Sequence, residues 1–164
     1  MSDPRIDLMQ AMPIFGGVSA ATLDDLTAAA AVVTRPKGQY FFREGEDARS
    51  MFVLQSGKVS VLKTWQGRDY LLRYLGVGEC FGEMGLITPG RRSAAVLAVS
   101  ASTALEISAA RLDALRRRDL EQFALIYMNI ARELSRRLRD ADRRYFQMKV
   151  APRSAAEDWP YSAN

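Results

Sequence analysis

Glu83 and Arg92 stand nine positions apart in the stretch Gly76–Ala95, which also holds five of the chain's eleven glycines. Glycines let a backbone approach a ligand closely and turn its N–H groups outward. A short helical turn starting near Glu83 would aim further N–H groups and the helix dipole at an anion. Arg92 supplies a planar cation suited to bidentate phosphate contact. Ser93 adds a hydroxyl, and Glu83 adds an acceptor for a sugar hydroxyl. Phe81-Gly82-Glu83-Met84-Gly85 and Arg91-Arg92-Ser93-Ala94 together read as a pocket for a ribose joined to a phosphate. Plainer roles stand beside this one. The glycines serve tight turns, Glu83 caps a helix start, Arg91 and Arg92 are surface charges, and Ser93 is a small strand residue.

The elements that must position this stretch follow from periodicity and punctuation. Ile6, Leu8, Met9 and Met12 lie near helical spacing, and Pro13-Ile14-Phe15-Gly16-Gly17 breaks the chain. Ser19 is a candidate N-cap for a helix over 20–31, with Leu23 and Leu26 on its inner face. From Thr34 to Ile107, short apolar or alternating runs recur at 39–42, 51–54, 59–62, 70–75, 94–99 and 104–107. Gly38, Gly45, Gly57, Gly67, Gly76 and Gly78 punctuate them, the pattern of an all-β barrel or sandwich. Trp65-Gln66-Gly67-Arg68-Asp69 reads as a hairpin tip. Ser108 and Asp119 are candidate caps for a short helix over 109–117 and a long one from Leu120 to about Met148. Leu120, Phe123, Tyr127, Ile130, Leu134, Leu138, Ala141, Tyr145 and Met148 form a heptad seam with one extra step at Leu134–Leu138. Phe123 and Tyr127 fit a core or an interface. The tail from 151 to 164 is expected to lack fixed structure.

Composition narrows the function. The chain has 164 residues, 48% apolar and 26% charged, which suits one soluble domain with a real core plus appendages. No apolar run reaches the length of a membrane span, and no signal peptide is evident. Cys80 is the only cysteine, so no internal disulfide forms; it reads as a buried apolar residue, and a cytoplasmic location is expected. Histidine is absent, which removes His-based triads, His zinc sites and the commonest general base. No nucleophile with its base is visible, so no enzyme, catalytic residue, metal or cofactor is expected. Residues 111–149 carry eleven Arg or Lys against six Asp or Glu, while the whole chain is +4. That basic helix raises nucleic-acid binding, but Arg116-Arg117-Arg118 and Arg136-Arg137 read more simply as solvated faces.

The stretch around Glu83 and Arg92 resembles the phosphate-binding cassette of the cyclic nucleotide-binding domain. That domain occurs in the catabolite activator protein family, in protein kinase A regulatory subunits and in cyclic-nucleotide-gated channels. The family's cassette reads Gly-Glu, a short apolar helix, a small loop, then Arg, Ser or Thr, and Ala. Here these are Gly82-Glu83, 84–88, 89–91 and Arg92-Ser93-Ala94. Phe42-Arg43-Glu44-Gly45, Gln55-Ser56-Gly57-Lys58-Val59 and Glu106-Ile107-Ser108 resemble further pieces of its roll.

The resemblance implies an α+β fold, an antiparallel β-roll or jelly-roll barrel flanked by N-terminal helices and a long C-terminal helix. The domain would span 1–150, with helices over about 5–33, the roll over about 34–107 and helices over about 109–148. The ligand would be cAMP or cGMP, with Ser93 pointing to cAMP. Leu134, Arg137 and Leu138 would lie over the base; Arg137 and Leu138 stand where the bacterial activator has a Thr-Ser pair that hydrogen-bonds adenine. The C-terminal helix would form a homodimer and move on binding. Only some 16 residues follow Met148, too few for the family's helix-turn-helix. The expectation is therefore a stand-alone sensor that acts on an effector protein, without binding DNA or inserting into a membrane. A degenerate member that binds another ligand, or only a protein, is the alternative.

Overall fold

Ser19 starts the second helix of the N-terminal region. Its hydroxyl accepts from the Thr22 N–H at 3.2 Å and caps α2 (Ala20–Ala28), which follows α1 (Pro4–Gln10) and a 3-10 turn at Pro13–Phe15. The computed structural model describes residues 4–88 and 90–151. The expectation for the tail beyond Ala151 lies outside the described residues. The chain divides into two units, one ending at Ile130 and one beginning at Ala131.

The helical N-terminal region ends earlier than expected. Val32-Val33-Thr34 is a β-branched run whose side chains suit a pleated surface, and it lies in β1 (Ala31–Arg35). It pairs antiparallel with β10 (Ser102–Ser108), with Val33 opposite Ala104 and Thr34 opposite Thr103. Between them run β2 (Tyr40–Phe42), β3 (Asp47–Ala48), β4 (Ser50–Ser56), β5 (Val59–Trp65), β6 (Arg68–Leu75), β7 (Cys80–Phe81), α3 (Met84–Ile87), β8 (Gly90–Arg91) and β9 (Ala95–Ala98). One four-stranded sheet has the order β1-β10-β4-β7, the other β2-β9-β5-β6, and β3 and β8 form a small ladder.

The inward faces of the two large sheets share one core: Phe41, Phe42, Phe52, Leu54, Val59, Val61, Leu75, Phe81, Val96, Ala98 and Ala104. Phe52 and Phe81 stack with ring centroids 5.1 Å apart, and Phe41 meets both edge-on. Burying each such large side chain contributes about 1.5–3 kcal/mol. This is the expected antiparallel roll. The hairpin tip at Gln66-Gly67 is also present, with both residues at positive φ joining β5 to β6. Strand β6 is the outer member of its sheet and exposes Tyr70, Leu71, Leu72 and Tyr74.

Helices close the first unit. Ser108 caps α4 (Ala109–Arg118) through the Arg111 N–H at 3.2 Å, and Asp119 accepts from the Gln122 N–H at 3.1 Å where α5 (Leu120–Val150) begins. Both α2 and α4 pack on β10. Asp25 of α2 ties these helices together. Its carboxylate takes Arg118 Nη2 at 2.7 Å and also pairs with Arg111, whose guanidinium donates to the Asp25 carbonyl at 2.8 Å. The Arg118 hydrogen bond, helped by the Arg111 charge, holds the Asp25 carboxyl below its ordinary value of 3.8. A lowered folded-state value means that the contribution to stability is complete above 3.8 and fades as pH falls through the lowered value. Partly exposed pairs of this kind are worth about 1 kcal/mol. Asp25→Asn is expected to lower Tm by about 2–4 °C near neutral pH, with the difference closing in acid. Thermal melts across pH check this, and equal Tm values near neutrality would refute the clamp.

Candidate functional site

Arg92 follows β8 and is held by its backbone before its side chain does anything. Its N–H donates to the Glu46 carbonyl at 2.7 Å, and its carbonyl accepts from the Gly45 N–H at 2.9 Å. The side chain then enters the roll and is only 7% exposed, so it is not a surface charge. Its guanidinium lies 4.0 Å over the Phe42 ring. Nη1 donates to the Ser50 carbonyl at 2.7 Å and to the Gly82 carbonyl at 3.2 Å, and Nη2 donates to the Ser50 hydroxyl at 3.1 Å. The buried Nε has no hydrogen-bond partner among the described residues. Burial pushes the guanidinium below its ordinary value, and the charges of Glu106, Glu46 and Glu83 act against that shift.

Glu83 stands at the N-cap position of α3, yet its side chain makes no capping hydrogen bond. It is 3% exposed, which is unusual for a carboxylate that serves only a helix start. Gly82 just before it has φ +78°, a conformation glycine adopts without strain. A Cβ there would lie 2.6 Å from Arg92 Nη1. A Cβ on Gly85 would lie 2.5 Å from the Ala48 Cβ, so α3 rests directly on β3. Small residues at both positions are thus required by close approach.

Phe81, Gly82, Glu83, Met84, Gly85, Arg91, Arg92, Ser93 and Ala94, the residues singled out by the sequence, all line one cavity of about 420 Å³. Its volume is that of a small-molecule site. Arg91 is exposed at the mouth and donates to the Gly45 carbonyl at 2.8 Å. Ser93 precedes β9 and is exposed; its carbonyl accepts from Lys63 Nζ at 2.8 Å. A buried cation and a buried carboxylate lining the same small cavity suit a ligand that carries both an anion and a hydroxyl.

Residues 32–119, more than half of the chain, match the family described as the cyclic nucleotide-binding domain. The chain belongs to that family. The cyclic AMP receptor protein of Thermus thermophilus is 34% identical over 135 residues, which cover 82% of this chain and 61% of that protein. The crystal structure of the Thermus thermophilus catabolite activator protein matches at TM-score 0.72 and 33% identity, over 84% of this chain and 63% of that one. The cGMP-dependent protein kinase 2 of Homo sapiens is 44% identical over 64 residues, 38% of this chain and 8% of the kinase. The chain thus spans about six tenths of the receptor protein's length and a small part of the kinase's. Among the described residues, no helix is long and apolar enough to cross a membrane. None of their His, Cys, Asp and Glu side chains form a group of three that could hold a metal ion.

In this cyclic nucleotide-binding domain the cavity also takes in residues the sequence reading missed. Leu72 and Arg73 of β6 line it beside Val61 of β5. A register shift between Val61 and Leu62 displaces the simple alternation on β6, so no period-two pattern marks them. Tyr127, read as a core or interface residue, donates its hydroxyl to the Leu86 carbonyl at 3.0 Å and so joins α5 to α3. Burial raises its phenol above the ordinary value. The expected base-covering residues Leu134, Arg137 and Leu138 belong to the second unit. There Arg137 Nε pairs with Glu133 at 2.9 Å, and Leu138 is exposed.

Gly82→Ala is expected to push the Arg92 guanidinium off its acceptors and to lower cyclic nucleotide affinity by at least about tenfold. Calorimetry checks this, and unchanged affinity would show that the close approach of Gly82 to Arg92 does not matter for binding.

Proposed function

We propose that this chain senses a 3′,5′-cyclic nucleotide, with cAMP preferred over cGMP, and passes the state of its cavity through α5 to a partner protein. Residues 1–150 act as the sensor. The observation that carries this reading is the placement of Arg92 and Glu83, both buried, in the lining of one cavity. Arg92 is the charge for the cyclic phosphate, and Glu83 is the acceptor for the 2′-hydroxyl, the one free hydroxyl on the ribose. Ser93, which the family resemblance ties to cAMP, lies in the lining, and the likeness to a cyclic AMP receptor protein supports the same ligand. Arg73 in the lining favours a second reading, cGMP, because a guanidinium pairs well with O6 and N7 of guanine.

The Tyr127–Leu86 hydrogen bond supports the route through α5, since it ties the cassette helix to that helix. Beyond Ile130, α5 exposes Leu138, Tyr145, Phe146, Met148 and Val150, an apolar set too large for an isolated helix in water. We assign that face to a second copy of the chain, with the effector protein reading the dimer.

Calorimetry with cAMP, cGMP and their 2′-deoxy forms tests the ligand. Glu83→Gln is expected to weaken the ribonucleotide by about tenfold, the loss of a hydrogen bond to a charged group, and the 2′-deoxy form much less. Equal losses would remove Glu83 from the sugar, and tighter binding of cGMP that Arg73→Ala abolishes would establish the second reading. Light scattering tests assembly. The wild-type chain is expected to be a dimer and Leu138→Glu a monomer, and a monomeric wild type with and without ligand would refute the pairing.

A further inference from the structure

Ser50 and Glu106 occupy places where an alternating strand calls for apolar residues. On β4, Ser50 shares its face with Phe52 and Leu54, both in the core of the roll. On β10, Glu106 lies directly opposite Phe52, and Ser108 lies opposite Ser50. Ser50 and Glu106 are therefore diagonal neighbours on the inward face of one sheet, close enough for side-chain contact. The Ser50 hydroxyl donates to Glu106 Oε1 at 2.6 Å. The direction of that bond is fixed, because an ionised carboxylate only accepts. The Ser50 oxygen is thereby left to accept from Arg92 Nη2 at 3.1 Å, while the Ser50 carbonyl accepts from Nη1 at 2.7 Å. Among the charges acting on Arg92, Glu106 has the largest effect.

We propose that Ser50 and Glu106 form a relay behind Arg92: Ser50 positions the guanidinium for the phosphate, and Glu106 is the resident counter-charge that limits how tightly the phosphate is held. The two roles are separable. Ser50 and the Gly82 carbonyl take up three of the five guanidinium N–H groups, which fixes the plane of the cation in the cavity that Arg92 lines. Glu106, together with Glu46 and Glu83, offsets the charge of the cation while the cavity is empty. It repels an arriving anion through the same guanidinium, so its charge opposes binding while its acceptor oxygen supports it. This relay rests on the reading of the cavity as a cyclic phosphate site.

Calorimetry with cAMP and cGMP on four proteins tests it. Ser50→Ala removes an acceptor from a charged donor and is expected to weaken both ligands by roughly tenfold. The loss should be equal for the 2′-deoxy forms, because the ribose is not involved. The ratio of affinities for the two cyclic phosphorothioate diastereomers is expected to narrow, since a less fixed guanidinium selects less between the two phosphate oxygens. Ser50→Thr keeps the hydroxyl and should restore both. Glu106→Gln keeps an acceptor for Ser50 but removes the charge, and is expected to tighten binding several-fold. Residues that merely stabilise the fold would weaken binding in both Ser50→Ala and Glu106→Gln, and that result overturns the relay. So does an unchanged diastereomer ratio in Ser50→Ala. A wild-type chain that binds neither nucleotide overturns the reading of the cavity itself, and the relay with it.

Discussion

A guanidinium inside an aromatic roll is the constraint from which much of this structure follows. Arg92 sits against Phe42 and Phe52, out of water, where a charge with unsatisfied donors costs several kcal/mol. Its acceptors come from main-chain carbonyls of Ser50 and Gly82 as well as the Ser50 hydroxyl. Backbone acceptors do not adjust as side chains do, so the segments that carry them must be held in place. Gly45 and Glu46 pin Arg92 on both sides of its own peptide. The β3–β8 ladder, with Asp47 opposite Arg91, fixes the same corner. The guanidinium is thus held largely by peptide groups.

The cassette helix is short, but it is attached at two points. Gly85 lets it rest on Ala48, and the Leu86 carbonyl holds the Tyr127 hydroxyl. The first turns of α5 are held from another direction by the N-terminal segment. Gln122 Oε1 accepts from the Ser19 N–H at 2.8 Å, and Asn129 Nδ2 donates to the Gly16 carbonyl at 2.9 Å. The start of α5 therefore answers to two neighbours, the cassette and the N-terminal turn. The Tyr127 hydroxyl is thus one link between α3 and this helix, and the Ser19 and Gly16 contacts are links to the N-terminal segment.

Much of this architecture was legible in the residues. Ser19, Ser108 and Asp119 marked helix starts because an N-cap needs a short polar side chain wherever it occurs. The glycine punctuation marked the roll, and the Glu83–Arg92 spacing marked the cavity lining. The misses have separate physical causes. Strands β3, β7 and β8 have two residues each and leave no period to read. The β1 strand was hidden because its first residue continues an alanine run that suits α2 equally well. Leu72 and Arg73 were missed because the register shift near Leu62 displaces the alternation on β6. Ser50, Glu106 and Tyr127 make hydrogen bonds across long sequence separations, and no local pattern encodes a contact between positions 50 and 106.

The outer position of β6 has a colloidal consequence. An edge strand offers a row of backbone donors and acceptors to any extended segment that meets it. Here Tyr70, Leu71 and Leu72 add exposed apolar surface to that row. Charge comes only from Arg68 and Asp69 at the strand's start and Arg73 near its end. Charged residues beside an apolar strand act as gatekeepers against aggregation. In a crowded solution this margin is where a foreign extended segment would pair, and Arg68, Asp69 and Arg73 are the strand's own charges against it.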